Sequence, residues 1–190
     1  MARGAAGEVS AGAPAAAPPL SLARVSALGE EEFVKALGPV FEHSPWIARA
    51  AWRRRPFAGV GDLHGAFEAA MREAPRERQL ALIRAHPELA GREAEEGELT
   101  AESSREQVTA GLDRLSKEEV SALRRLNRDY REAFGFPLVV CVREHTKDSI
   151  LAWGEARLGH TRSDEVENAL TEIAKIAHLR LHDLVAEARG

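Results

Sequence analysis

The chain has a single cysteine, no long apolar run and no excess of basic residues. A lone Cys141 excludes an internal disulfide and any cysteine-built zinc site, and it fits a reducing compartment. No stretch approaches the roughly 20 apolar residues that span a bilayer, so no membrane protein is expected. The 26 Lys and Arg against 30 Asp and Glu give a formal net charge of −4, without the basic footprint of a nucleic-acid-binding domain. After Met1, residues 2–19 have no large apolar side chain except Val9, and the segment lacks the leucine-rich core of a secretory signal. Their Ala, Gly and Pro predict a disordered extension. The last three residues, Ala188-Arg189-Gly190, are not a peroxisomal tripeptide, so a cytoplasmic location is the expectation.

What remains is the composition of a soluble globular protein: 44% hydrophobic and 29% charged residues in a chain of 190. That length suits one domain with a real core, placed at residues 20–190. Apolar residues recur at helical spacing almost throughout. Helices are predicted over Glu30–Phe41, from a Ser44-Pro45-Trp46 start to about Arg54, and over Asp62–Ala74 and Arg76–Ala85. The pattern resumes over Ser104–Leu115, Lys117–Phe134, Lys147–Arg157 and Asp164–Arg189, with an exposed loop at 91–100. Leu138-Val139-Val140-Cys141-Val142 has strand propensity, but one strand makes no sheet. The prediction is a single compact all-α domain of about eight helices, with one extended buried segment near 136–142.

Three places carry candidate chemistry. In His86-Pro87-Glu88-Leu89-Ala90-Gly91, proline disfavours helix for the residue before it, so His86 stands at a helix end with a pKa near neutrality. It suits proton transfer, and equally a histidine that caps carbonyls; Glu88 reads as a surface bystander. Ser103-Ser104-Arg105-Glu106-Gln107 opens a helix with Ser103 and Glu106 at capping-box spacing. The same helix start favours an anionic ligand. Arg180 shares one face of the last helix with Ile173, Ala177 and Leu184, where a guanidinium needs a buried anion or many acceptors. A structural ion pair, Glu106 and a substrate carboxylate are all open as its partner. His178 and His182 are spaced i, i+4, but without the glutamate of the zinc-protease motif and on a polar face, so no metal is expected there. No partner is identified for His64, His145 or His160. Cys141 reads as a buried small hydrophobe and the three tryptophans as anchors.

From about Leu20 to Ala186 the chain resembles the 2-oxo-4-hydroxy-4-carboxy-5-ureidoimidazoline (OHCU) decarboxylase family. The resemblance rests on Phe41-Glu42-His43-Ser44-Pro45-Trp46, Arg55-Pro56-Phe57 and the His86–Gly91 hexapeptide. It continues through Ser103–Gln107, Ala110-Gly111-Leu112, Asn127, Tyr130, Phe134-Gly135-Phe136-Pro137, Arg157-Leu158 and Ile176–Leu181. It implies an all-helical homodimer that decarboxylates a small ureidoimidazoline to (S)-allantoin in urate degradation, without metal or organic cofactor. By the same resemblance His86, Glu106 and Arg180 are catalytic. Substrate contacts fall on Pro87, Ser103, Ser104, Arg105, Glu106, Gln107, Leu138, Val139, Val140, Cys141 and Val142, the last five through backbone groups. A rival reading is a helical ligand-binding module of the same fold without catalysis. Leu138 and Val139 stand where Phe and Ile are frequent, and His160 where an asparagine is usual.

Overall fold

The computed structural model describes residues 18–91, 94 and 96–186, so the proposed extension lies almost wholly outside it. The described residues contain nine α-helices. They are α1 (Leu22–Ala27), α2 (Glu30–Leu37), α3 (Pro45–Trp52), α4 (Val60–Arg72), α5 (Arg76–Arg84), α6 (Ala101–Thr109), α7 (Lys117–Phe134), α8 (Lys147–Arg157) and α9 (Arg162–Leu184).

Capping chemistry explains several boundaries. The α7 helix starts at Ser116, whose hydroxyl accepts from the Glu119 amide while Glu119 reaches back, and stops at Gly135 in the left-handed region with φ 78°. Between these ends Leu123, Leu126, Asn127, Tyr130 and Phe134 form its buried face. Thr161 caps α9 through the Asp164 amide in the same way.

Four expectations are corrected. The helix predicted to reach Phe41 ends at Leu37, because Pro39 has no N–H to continue the ladder, and a 3-10 turn spans Gly38–Val40. Ser44 holds the N-cap position of α3, yet its side chain makes no capping bond. The helix expected over Ser104–Leu115 runs instead over Ala101–Thr109, broken by Gly111 at φ 78°. The last helix stops at Leu184, where buried Val185 turns extended. Leu20–Ser21 (β1) and Val185–Ala186 (β2) then pair in parallel and tie together the two ends of the described fold.

The α9 helix is the axis of the core. Val166, Ala169, Leu170, Ile173, Ala177 and Leu181 are buried along it, with α4, α5 and the 3-10 turn at Gly38–Val40 packed on it. Its buried surface also carries three charged residues, Glu165, Glu172 and Arg180. Two of them organise the extended segment. Leu138–Cys141 belongs to no helix or strand and is buried, as the sequence predicts. Arg157, held by Glu165, donates from Nη1 to the Val139 carbonyl at 3.1 Å, and the Cys141 amide donates to Glu172 at 2.8 Å. A β-carbon on Gly154 would sit 2.7 Å from a Leu138 methyl, so the bare glycine lets α8 close over this segment.

Candidate active site

The site forms where the end of α5, the inner face of α6, the extended segment and the last turns of α9 converge. His86 follows the α5 C-cap; its amide donates to Ile83 at 3.2 Å, and its ring Nδ1 lies 2.9 Å from the Leu82 carbonyl. A carbonyl only accepts, so Nδ1 carries the proton and Nε2 of the neutral ring keeps its lone pair. The ring is 8% exposed. Burial lowers its pKa below the ordinary imidazole value, opposed by the Glu42 carboxylate and the Leu82 carbonyl and reinforced by Arg180.

The turn after His86 is fixed from two sides. The Ala90 amide donates to Gln107 Oε1 at 2.9 Å, and Asn127 Nδ2 donates to the Leu89 carbonyl at 3.0 Å. Because Gln107 accepts through Oε1, its amide nitrogen is the end left to donate, and Gln107 lines the cleft. Glu88 does not line the cleft; half-buried, it pairs with exposed Arg131 at 2.8 Å.

Ser103 and Glu106 do not form the capping box their spacing suggests. The N-cap is Thr100, whose hydroxyl accepts from the Ser103 amide. One turn further in, Ser103 and Glu106 project inward. The Ser103 hydroxyl donates to Glu42, and Arg180 donates from Nε and Nη2 to the two oxygens of Glu106 at 2.8 and 2.7 Å. Nη2 also lies 3.1 Å from both Glu42 Oε1 and Ser103 Oγ, and Nη1 lies 3.3 Å from the Val40 carbonyl. Of the partners left open for Arg180, the structure therefore shows Glu106, in a fork-to-fork pair. Glu42 is the residue that the sequence reading missed. It is 2% exposed. Burial pushes its pKa up, but the Ser103 hydroxyl and Arg180 outweigh that and hold it below the usual carboxylate range. The signal available in the sequence is its place in the Phe41–Trp46 motif.

These groups border a narrow cleft that opens to solvent. His86, Ser103, Glu106, Gln107 and Arg180 are its polar lining, and Pro87, Leu89, Ile176 and the extended segment at Leu138, Val139, Val140 and Val142 its apolar lining. Three residues expected at the site lie elsewhere. Ser104 and Arg105 are on the exposed side of α6, with Arg105 bonded to Ala101 and Glu102. Cys141 is buried and does not line the cleft, and burial pushes its thiol up to about 12.

The remaining histidines have partners that the sequence did not reveal. His64 Nε2 bonds the Ala174 carbonyl at 3.0 Å, and its ring lies edge-on to exposed His178. His145 lies 3.3 Å from Ser149, and His160 pairs with Glu165 at 2.7 Å. Among the described residues no cluster of His, Cys, Asp or Glu is arranged to hold a metal ion, and no helix is long and apolar enough to cross a membrane.

Comparison with known proteins gives one consistent result. A family model described as OHCU decarboxylase matches residues 26–182. A 2-oxo-4-hydroxy-4-carboxy-5-ureidoimidazoline decarboxylase of Haloferax volcanii is 44% identical over 162 residues, covering 85% of this chain and 94% of the relative. The Mus musculus protein of the same name is 41% identical over 166 residues, covering 87% and 93%. The crystal structure of an (S)-allantoin synthase superposes with a TM-score of 0.71 at 26% identity, over 87% of this chain and 54% of that one.

Proposed function

The chain belongs to the OHCU decarboxylase family, and we propose that its cleft converts OHCU to (S)-allantoin in urate degradation, with His86 transferring the proton. The observation that carries the assignment is the placement of His86. Its Nδ1 is tied to a backbone carbonyl, and the residue lines a cleft shared with the hydrogen-bonded Ser103, Glu106 and Arg180.

The chemistry follows from the substrate. One ring carbon bears both hydroxyl and carboxylate, and its neighbour, which carries the ureido group, is doubly bonded to a ring nitrogen. When the bond to the carboxylate breaks, the electron pair moves between the two ring carbons and the ring nitrogen takes a proton. Protonation of the ureido-bearing carbon and loss of the hydroxyl proton then give the carbonyl of allantoin. The adjacent C=N accepts the electrons, so the proposed route calls on no metal or organic cofactor. The face on which the second carbon is protonated sets the product's configuration.

His86 Nε2 is the group suited to that transfer: its lone pair takes the hydroxyl proton and the imidazolium so formed returns a proton to the ureido-bearing carbon, a role that typically contributes about 10²–10⁴ in rate. Gln107 donates to a substrate carbonyl, and Glu106, oriented by Arg180, accepts from ureido or ring N–H groups. The apolar wall at Leu138–Val142 receives the face from which carbon dioxide departs, where a carboxylate is poorly solvated and a neutral gas is not penalised. Pro87 fixes the imidazole's position, and Ser103 completes the polar lining. Ser104, Arg105 and Cys141 are left out of this set. The same reading has the enzyme as a homodimer, which rests on the family resemblance.

Freshly generated OHCU, incubated with and without the protein, tests the proposal. Because the substrate also decays unaided, the product's enantiomeric excess is the readout. Predominantly (S)-allantoin supports the assignment; racemic product at the uncatalysed rate removes it.

A further inference from the structure

Glu42 has no counterpart among the residues given roles so far, yet it is the most deeply buried charge at the site. Phe41, stacked on Phe67 with centroids 5.7 Å apart, anchors the chain before it. His43 then adopts φ 46°, a left-handed turn that keeps its own side chain exposed while Glu42 points inward. Three donors from two helices and a loop meet on Oε1: Thr100 Oγ1 at 3.1 Å, Ser103 Oγ, and Arg180 Nη2 at 3.1 Å.

This arrangement decides what Ser103 can do. A hydroxyl has one hydrogen, and Ser103 gives it to Glu42. Arg180 Nη2 meanwhile donates to Ser103 Oγ. Toward the cleft Ser103 therefore presents only acceptor capacity. Without Glu42 the hydroxyl would be free to turn and donate, and Arg180 would lose one of its two carboxylates.

We propose that Glu42 is a positioning residue for the decarboxylation: by accepting from Ser103 and Arg180, it makes Ser103 Oγ an acceptor for a substrate N–H and locks Arg180 against Glu106. The ligand feature so recognised is an N–H edge, of the kind a ureido group or imidazoline ring offers, rather than a carboxylate. The Glu42 carboxylate is bonded to Ser103 and Arg180, which border the cleft with His86, and its charge acts on the imidazole together with those of Arg180 and His43. Its negative charge favours the imidazolium against the burial that opposes it, so Glu42 governs the proton affinity of His86 as well as the polarity of Ser103.

The inference rests on the proposed reaction, and its test keeps the two separate. The His86 ring is titrated by NMR in the substrate-free protein, which needs no assumption about the substrate, and OHCU turnover is measured alongside. Glu42→Gln keeps the shape and an acceptor oxygen but removes the charge. In this variant the His86 titration moves about one pH unit toward acid, as does the His86 limb of the pH profile for kcat/KM. The value of kcat/KM falls about tenfold to a hundredfold. Glu42→Asp keeps the charge but shortens the reach, so it leaves the titration near its wild-type position while lowering kcat/KM. If Glu42→Gln does not fold, this second variant carries the test: an Asp variant with wild-type kcat/KM overturns the positioning role. A folded Glu42→Gln protein with unchanged titration and unchanged kcat/KM overturns the inference outright. A wild-type protein that fails to turn over OHCU removes the reaction instead, with the His86 titration still deciding whether Glu42 controls the imidazole.

Discussion

Two clusters of buried charge hang on the same helix, and they differ in what surrounds them. Near the start of α9, Glu165 accepts from Tyr130, Arg157, His160 and Asn168, and Arg157 reaches on to the Val139 carbonyl. The Arg157 guanidinium carbon also sits over Trp153, 4.2 Å from the ring centroid. Tyr130, Arg157 and Glu165 do not line the cleft at His86, and among the described residues their buried polar atoms find partners within the protein. Near the end of α9, Arg180 joins Glu42, Glu106 and Ser103, but here His86, Gln107 and Ser103 border an opening. The first cluster fixes backbone; the second leaves polar capacity facing a ligand. Burial of charge alone therefore does not mark the active site. What marks it is a buried network with one side unfinished. The two are linked, since the Val139 carbonyl held by Arg157 belongs to the segment that lines the cleft with His86.

The comparison predicts a graded set of effects. Removing the unfinished side should abolish chemistry and spare the fold: His86→Asn lowers kcat/KM by about 10²–10⁴, with an unfolding midpoint close to that of the wild type. Retained activity in the folded variant takes His86 out of the mechanism. Breaking the closed cluster should do the reverse. Arg157→Met strands Glu165 without its cation and costs about 3–5 kcal/mol of stability, read by urea unfolding; a loss below about 1 kcal/mol would place this pair in the weak class of exposed bridges. Arg180→Lys keeps the charge but loses the fork, and kcat/KM is expected to fall about tenfold to a hundredfold. Unchanged kinetics would assign Arg180 to structure only.

The pH dependence of stability sharpens the contrast further. Burial holds the His86 pKa below the ordinary value of 6.5, so the unfolded chain binds its proton first as the solution is acidified. Stability from this source is present above pH 6.5 and declines as pH falls through that value. Glu42, held below its ordinary 4.5, adds a further loss of the same sign at more acidic pH. His86→Asn should flatten the first phase and leave the second. An identical pH curve in the variant would contradict the burial argument. The smallest effect belongs to His160→Asn, because this half-exposed imidazole sits at the rim of the closed cluster. It should shift stability by less than about 1 kcal/mol, and a larger loss would make His160 part of the buried frame.

Much of this was legible in the sequence, for definable reasons. The α7 and α8 helices begin and end at Lys117–Phe134 and Lys147–Arg157 as predicted, because apolar period, capping residue and breaker agree there. The extended segment was legible from an apolar run too isolated to join a sheet. His86 was readable from Pro87, and Arg180 from its place in an apolar stripe. The illegible parts depend on distant partners. Ser103 and Glu106 satisfy a capping box on paper, but Thr100 caps the helix and the two side chains find Glu42 and Arg180 far along the chain. Local spacing cannot show such a choice. His160 read as unpaired because its acceptor, Glu165, is buried within the next helix. Glu42 lay among motif residues, but no local pattern assigns a lone glutamate to three donors.

The central claim is that His86 delivers the proton that sets the product's configuration. The measurement that tests it most directly is the enantiomeric excess of allantoin formed from fresh OHCU by wild type and by folded His86→Asn. The account predicts predominantly (S)-allantoin from the wild type and a largely lost enantiomeric excess, with kcat/KM lowered as above, from the variant. Predominantly (S)-allantoin from both would contradict it.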